Sequence, residues 1–241
     1  MSLPTAQKLY AVIDGTWPTF AKRAVGPWVI RIDGKGGSRV SAATVEADFT
    51  NFDITDAEEA MREVDQTPLF MIREGDEALD EMLTSRGYAI KDPVNLYAAP
   101  VEKIATESPP PVTSFEVWPP LAAQVEIWAA GGIGQGRLDV MDRARAPKTT
   151  LLGRLNDRPA GTAFVAIAGD CAMIHALEIA KDQRRHGLAR HLTRAAAVWA
   201  QSNGAEFLTL VTTQANQGAN ALYASLGMTL VGQYHYRILP E

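Results

Sequence analysis

The 241-residue chain is long enough for one large domain or two small ones, which excludes a short peptide-like fold. Its 46% hydrophobic and 21% charged residues are those of an ordinary globular protein and exclude intrinsic disorder. A net charge of -5 argues against a surface built to clamp nucleic acid or an anionic membrane, and the single cysteine, Cys171, excludes an intramolecular disulfide and a cysteine zinc cluster.

The opening MSLPTAQKLYAVIDGTWPTF lacks a basic segment followed by a sustained apolar stretch, and no run approaches the ~20 apolar residues that span a bilayer. A cytoplasmic protein is expected. WVIRI (28–32) and RVSAATV (39–45) read as strands flanking the GKGG turn, a hairpin. DITDAEEAMREVD predicts a helix capped by Thr55 with Glu58 completing a capping box, and Ala57, Ala60, Met61 and Val64 recur at helical spacing. The strand PLFMI (68–72) and the helix GDEALDEML follow, with Gly87 as helix stop. SPPPVT then breaks the pattern, because three consecutive prolines fit neither a helix nor a sheet interior. A linker is placed there, dividing the chain into 1–108 and 112–241.

Beyond it, VTSFEVW reads as a strand and PLAAQVEIWAA as a helix that starts on a proline. KTTLLGRL, GTAFVAIAG and CAMIHALEI are apolar runs joined by short turns, the pattern of an antiparallel meander. From Gly187 to about Asn203 a helical stripe of Leu188, Leu192, Ala195, Ala196 and Trp199 predicts a long helix. The strand EFLTLVT, a helix through ANALYASL stopped by Gly227, and a strand pair around MTLVGQYHYRIL complete the chain. PLFMIREGDEALDEMLTSRGY and FLTLVTTQANQGANALYASLGM echo one another: Ser85 and Gly87 correspond to Ser225 and Gly227, and Leu83 to Tyr223.

The chemistry concentrates in LEIAKDQRRHGLARHL (177–192), where a strand ends in a loop and becomes a helix. The first helical turn presents free N–H groups, Gly187 permits close approach, and Lys181, Arg184, Arg185, Arg190 and Arg194 outweigh Asp182. A diphosphate is the natural ligand of such a loop, although the same basic residues also fit a solvated face.

This stretch resembles motif A of the GNAT superfamily of acetyl-CoA-dependent N-acyltransferases, Arg/Gln-x-x-Gly-x-Gly/Ala, filled here by Arg184, Gly187 and Ala189. The PAG turn, Asn216, and ALYASLGM, similar to the family's A-x-x-LYxxLGF, extend the resemblance over about residues 113–238. GTWPTF and GPWVIRIDGKGGSRV look like the amino-terminal segment of tandem GNAT proteins in which one repeat has lost its cofactor loop; residues 45–65 hold no such motif. The resemblance implies an α/β GNAT fold, a mainly antiparallel sheet flanked by helices. Residues 1–108 would be a degenerate GNAT-like domain, expected to close over the acceptor site or support dimerisation, and 112–241 the acetyl-CoA-binding one.

It also implies site roles. Arg184 belongs to the motif, and Arg185, His186, Gly187, Leu188, Ala189 and Arg190 would cradle the diphosphate. Leu177 and Ile179 would pair with the pantetheine arm like an added strand, the Ile179 amide serving as oxyanion donor. Asn216 would contact the arm, and Tyr223 would protonate the departing thiolate. For the base, His175 and Glu178 are candidates. On simple alternation His175 shares the parity of Leu177 and Ile179 while Glu178 faces away, unless a bulge re-aims it. An apolar strand is also an ordinary place for a packed structural histidine, as a helix is for a core tyrosine.

GKGGS (34–38) lacks phosphate-loop spacing and GGIGQG (131–136) has Arg137 where a dinucleotide loop needs glycine, so both read as loops. His175, His186, His191 and His235 show no metal-ligand spacing, and no metal is expected. The expected activity is acetyl transfer from acetyl-CoA to a primary amine of a small molecule or peptide, with a homodimer left open. A non-catalytic acyl-CoA-binding or regulatory module is the alternative.

Overall fold

The structure, a computed structural model, describes residues 2–33, 35–46 and 53–240. The first half contains α1 (Ala6–Thr16), β1 (Ala21–Val25), β2 (Trp28–Ile32), α2 (Ser38–Ser41), β3 (Ala43–Val45), α3 (Thr55–Arg62), β4 (Leu69–Ile72), α4 (Glu77–Ser85), β5 (Ala89–Pro100) and α5 (Val101–Ile104). The second contains β6 (Ser114–Val117), α6 (Ala122–Ala130), α7 (Gln135–Arg143), β7 (Lys148–Leu155), β8 (Arg158–Ala168), β9 (Cys171–Ile179), α8 (Leu188–Ser202), β10 (Phe207–Thr213), α9 (Gln217–Ser225) and β11 (Thr229–Ile238).

The strands form one sheet in the order β1-β2-β3-β4-β11-β5-β10-β9-β8-β7-β6. Only β3/β4 and β9/β10 are parallel; the remaining neighbours are antiparallel. Strand alternation divides the core between the two faces. Leu69 and Met71 of β4 pack with Leu9, Val12 and Ile13 of α1, whereas Phe70 and Ile72 pack with Ala57 and Met61 of α3 and Leu79 and Leu83 of α4. Phe164 and Ala166 of β8 likewise meet Trp17, Trp128 of α6 and Val140 of α7, while Ala163 and Val165 meet the α8 stripe. That stripe buries Leu188, Leu192, Ala195, Ala196 and Trp199, and each fully buried large apolar side chain contributes about 1.5–3 kcal/mol.

The last strands of the two halves change places. β11, the end of the chain, lies between β4 and β5, and β5 lies between β11 and β10. Both neighbours of β11 thus belong to the first half. A fragment beginning at Val112 would leave β11 without either of them, so it is expected not to fold; a circular dichroism spectrum and thermal transition like those of the full chain would contradict this. An ion pair fastens the exchange: buried Arg237 on β11 donates from Nε and Nη2 to the two carboxylate oxygens of Asp80 on α4, at 2.7 and 3.0 Å, and from Nη1 to Tyr88 O. His235 Nε2 lies 2.7 Å from the same carboxylate. Asp80→Ala would leave the guanidinium buried without its counter-ion, and a loss of about 3 kcal/mol is expected in urea denaturation. The Arg237 hydrogen bonds hold the Asp80 carboxyl below its ordinary range. This contribution is therefore present above the unfolded carboxyl pKa and is lost as pH falls through the lower folded value.

Several elements depart from the expectations. Residues 39–45 are not one strand: α2 occupies Ser38–Ser41, and only Ala43–Val45 pairs with β2. Gly34 of the GKGG turn lies outside the described residues. β1 and β2 form the tight hairpin, through Gly26, and none of α1, β1, β5 and α5 was expected. Thr55 is the first helical residue and not the cap; Asp53 Oδ1 accepts from its amide and hydroxyl, while Glu58 accepts from Tyr88. The prolines precede α6, which begins at Ala122. GGIGQG is a loop only as far as Gly134, and α7 starts at Gln135. The closing strand pair is one strand, β11, with register shifts near Gly232 and Tyr236. The meander β7–β8–β9, α8, α9 and their glycine stops follow the sequence pattern. Ser85 and Ser225, the last residues of α4 and α9, each donate to the carbonyl three residues back, before Gly87 and Gly227 at φ 84° and 79°.

Candidate active site

The parallel ladder between β9 and β10 covers only Cys171–Ile174 and Phe207–Leu210. Beyond it the strands diverge, β9 staying on β8 and β10 on β5, and a wedge opens between them. The cause is local: between His175 and Glu178, β9 has two residues opposite the single Ala163 of β8, and Ala176 takes φ 49°. This bulge reverses the parity expected from alternation. Phe164 pairs with His175 and Thr162 with Glu178, so His175 and Glu178 share a face and Leu177 and Ile179 do not share it. After the bulge Ala180 N–H donates to Ala160 O at 2.9 Å. Antiparallel alternation then turns the neighbouring Ile179 N–H away from β8, toward the wedge. Gly161, opposite Ile179, makes room for it: a Cβ there would lie 2.5 Å from Ile179 Cδ1.

At the mouth of the wedge the chain passes through a 3-10 turn (Lys181–Gln183) into α8. Arg185 and Gly187 both have positive φ, 71° and 82°, so the loop folds back and leaves the first amides of α8 facing the cleft; the first helical bond is His191 N to Gly187 O. A Cβ on Gly187 would meet nothing closer than His191 Nε2 at 3.9 Å, so the space in front of it is open. The cleft has a volume of about 860 Å³; its walls include Leu177, Glu178, Ile179, Arg184, Arg185, Gly187, Leu188, Ala189, Arg190, Asn216 and Tyr223. His186 is absent from this wall; it is exposed, with Nδ1 3.4 Å from Gln183 O.

The side chains divide by what holds them. Arg184 turns back onto β9, donating to Ile179 O at 3.0 Å and Glu178 Oε1 at 2.8 Å, so it braces the loop. Among the described residues Arg190 has only the Ser225 hydroxyl as hydrogen-bond partner. Asn216 caps α9 by accepting from Ala219 N at 3.1 Å. Tyr223 is buried against Tyr97, with ring centroids 5.9 Å apart, its hydroxyl makes no hydrogen bond among the described residues, and burial pushes its phenol up to about 12. His175 does not line the cleft. It is 2% exposed and stacked on Trp17 at 4.8 Å. Arg39, reaching across from the first half, lies 2.9 Å from its Nδ1, and Thr16 Oγ1 lies 2.8 Å from Nε2. A guanidinium only donates, so Nδ1 accepts and Nε2–H donates to Thr16, whose hydroxyl donates to Val12 O. Burial and the Arg39 charge hold the imidazole well below its usual pKa, in the neutral form. Cys171 is fully buried at the start of β9, and burial pushes its thiol up to about 12.

Sequence reading missed the opposite wall of the cleft, where Val211 and Thr212 of β10 and Gly218, Ala219 and Leu222 of α9 stand. Gln183 also lines it with a buried Oε1 that has no hydrogen-bond partner among the described residues. These are ordinary strand and helix residues, and only the place where β9 leaves β10 marks them. Among the described residues no group of three or more His, Cys, Asp or Glu side chains is placed to hold a metal ion, and no helix is long and apolar enough to cross a membrane.

Known proteins share this architecture. An uncharacterized N-acetyltransferase, YobR of Bacillus subtilis (strain 168), is 22% identical over 96% of this chain and 98% of its own. A GCN5-related N-acetyltransferase from Kribbella flavida superposes with a TM-score of 0.74 at 22% identity, covering 98% of this chain and 96% of that one. A tandem GNAT protein from the clavulanic acid biosynthesis pathway superposes with a TM-score of 0.59 at 14% identity, over 81% and 74% of the two chains. The sequence profile of the acetyltransferase (GNAT) family matches residues 105–228, the segment that builds the wedge, its loop and Tyr223, and the chain accordingly belongs to the GNAT family of acetyltransferases.

Proposed function

We propose that the protein transfers an acetyl group from acetyl-CoA to an amine by direct attack, with both substrates bound at the wedge. The observation that carries this reading is the continuity of one cleft from the free amides around Gly187, past the unpaired edge of β9, to the Tyr223 hydroxyl. Acetyl-CoA supplies the activated acyl group. Arg185, Gly187, Leu188, Ala189 and Arg190 hold its diphosphate at the positive end of α8. His186, exposed beside that wall, contributes its backbone to the loop. Leu177 and Ile179 take the pantetheine arm as an added strand, Asn216 stands against the same arm, and the Ile179 N–H receives the oxyanion. Tyr223, protonated at neutral pH, gives its proton to the departing thiolate.

Of the two base candidates, Glu178 is the one at the cleft, re-aimed by the bulge and anchored by Arg184. We assign it proton removal from the amine, and His175 the role of joining the two halves through Arg39 and Thr16. Glu178→Gln is expected to lower kcat/KM about 100-fold with acetyl-CoA affinity little changed. Rates equal to wild type across pH 6–9 would remove that role. The scheme has no covalent enzyme intermediate, so intact-mass spectrometry after mixing with acetyl-CoA alone should show unmodified protein, with thiol released only once an amine is added. A chemically competent acetylated enzyme would contradict it.

We also read the halves, 1–108 and 112–241, as repeats. What supports this is the matching order β3-α3-β4-α4-β5 and β9-α8-β10-α9-β11, each with a parallel crossover and a Ser-x-Gly helix end. Residues 45–65 hold no Arg-x-x-Gly-x-Gly/Ala loop, and the contribution of the first half is to the acceptor side.

A further inference from the structure

A second cavity, of about 170 Å³, adjoins the wedge and shares Val211 and Thr212 with the cleft already described. Two arginines from distant parts of the chain reach it, Arg39 of α2 and Arg137 of α7. Arg137 lies against Gly37, where an added Cβ would stand 3.6 Å from its Nε. The half-buried arginine makes no hydrogen bond or ion pair among the described residues, and Arg39 has only His175 Nδ1 and the Trp17 ring. Apart from Arg190, which is held by Ser225 at the proposed diphosphate loop, the other sheltered arginines are neutralised: Arg31 with Asp14, Arg73 with Asp76, Arg143 with Asp33 and Arg237 with Asp80. Among the described residues the two guanidiniums meet without a carboxylate between them, and burial together with the Arg39 charge lowers the pKa of Arg137. Bringing like charges together in a sheltered place is unfavourable unless an anion joins them.

Tyr236, 2% exposed, lines this cavity beside Tyr234, and its buried hydroxyl interacts with the Tyr234 hydroxyl. The carboxylate that lines the cavity, Asp92, is exposed at the rim and forms no ion pair with either arginine.

We infer that the acceptor is an amine bearing its own carboxylate, an amino acid in the broad sense, whose carboxylate is held by Arg39 and Arg137 while its amine enters the wedge past Thr212. This inference rests on the acetyl-transfer reading and adds the class of acceptor. A planar, bidentate donor pair suits a carboxylate, and a polyamine would bring a positive charge to two others.

The test is binding to the full-length protein saturated with CoA, so that it does not depend on turnover. α- and ω-amino acids are titrated by calorimetry beside their amides, in which only the carboxylate is neutralised. At least one amino acid should bind 10-fold or more tightly than its amide, and Arg137→Gln should erase that preference while Arg137→Lys keeps part of it. Arg137→Gln has no internal partner to lose, so it should melt with the wild type. Amides or diamines binding as well as amino acids, an unchanged preference in Arg137→Gln, or no amino acid binding to the CoA-loaded protein would each overturn the inference. Failure of CoA itself to bind would instead overturn the acetyl-transfer reading beneath it.

Discussion

Gly187→Glu should lose acetyl-CoA binding by more than 100-fold while the protein remains folded. The glycine has φ 82°, a conformation that costs a residue with a Cβ about 1–2 kcal/mol, and its substituent would project into the open space before the first amides of α8. A carboxylate there would occupy those amides and repel a diphosphate. No protein atom lies within ordinary contact of the new Cβ except His191 Nε2 at 3.9 Å, so the core beneath α8 is undisturbed. Gly187→Ala separates the causes: it carries the backbone strain without the charge and should retain most of the affinity. Equal losses in the two variants would assign the effect to strain and leave the phosphate cradle unsupported.

Tyr223→Phe is expected to reduce kcat by about 10²–10⁴-fold and to leave the acetyl-CoA dissociation constant within a few-fold of wild type. The phenol is buried, raised to about 12 and without a protein hydrogen bond, so the substitution removes a proton donor and little else. Because the folded pKa is raised, the group stays protonated through neutral and mildly alkaline pH. It should therefore contribute no falling limb to the kcat profile between pH 7 and 10. A variant with unchanged kcat would make Tyr223 a core residue packed on Tyr97 and nothing more.

Much of the wedge could be read from the chain because its parts are local. The apolar stripe of α8, the three short-turn strands before it and the glycine at its start are patterns within a few residues of one another. The orientation of Glu178 was not legible, since it depends on one extra residue at Ala176 that no side-chain alternation announces. The exchange of β5 and β11 was hidden for another reason. Residues 89–100 were not read as a strand at all, and β11 has the same pattern whichever neighbour it takes, its place being settled by distant contacts such as Arg237 with Asp80. Arg39 and Arg137 lay in segments read as a strand and a loop, and only the packing of α2 and α7 on the same face of the sheet brings them to one cavity. His175 looked like a base in an apolar strand; its neutral, doubly hydrogen-bonded position between Thr16 and Arg39 depends on the first half of the chain.

The central claim is that the loop before α8 and the wedge between β9 and β10 hold a CoA thioester. Calorimetric titration of the full-length wild-type protein with acetyl-CoA, CoA and ATP tests it most directly. Saturable one-site binding of acetyl-CoA and CoA, with ATP neither binding comparably nor displacing them, is the predicted result; no binding of either thiol cofactor, or ATP binding as tightly as CoA, would contradict it.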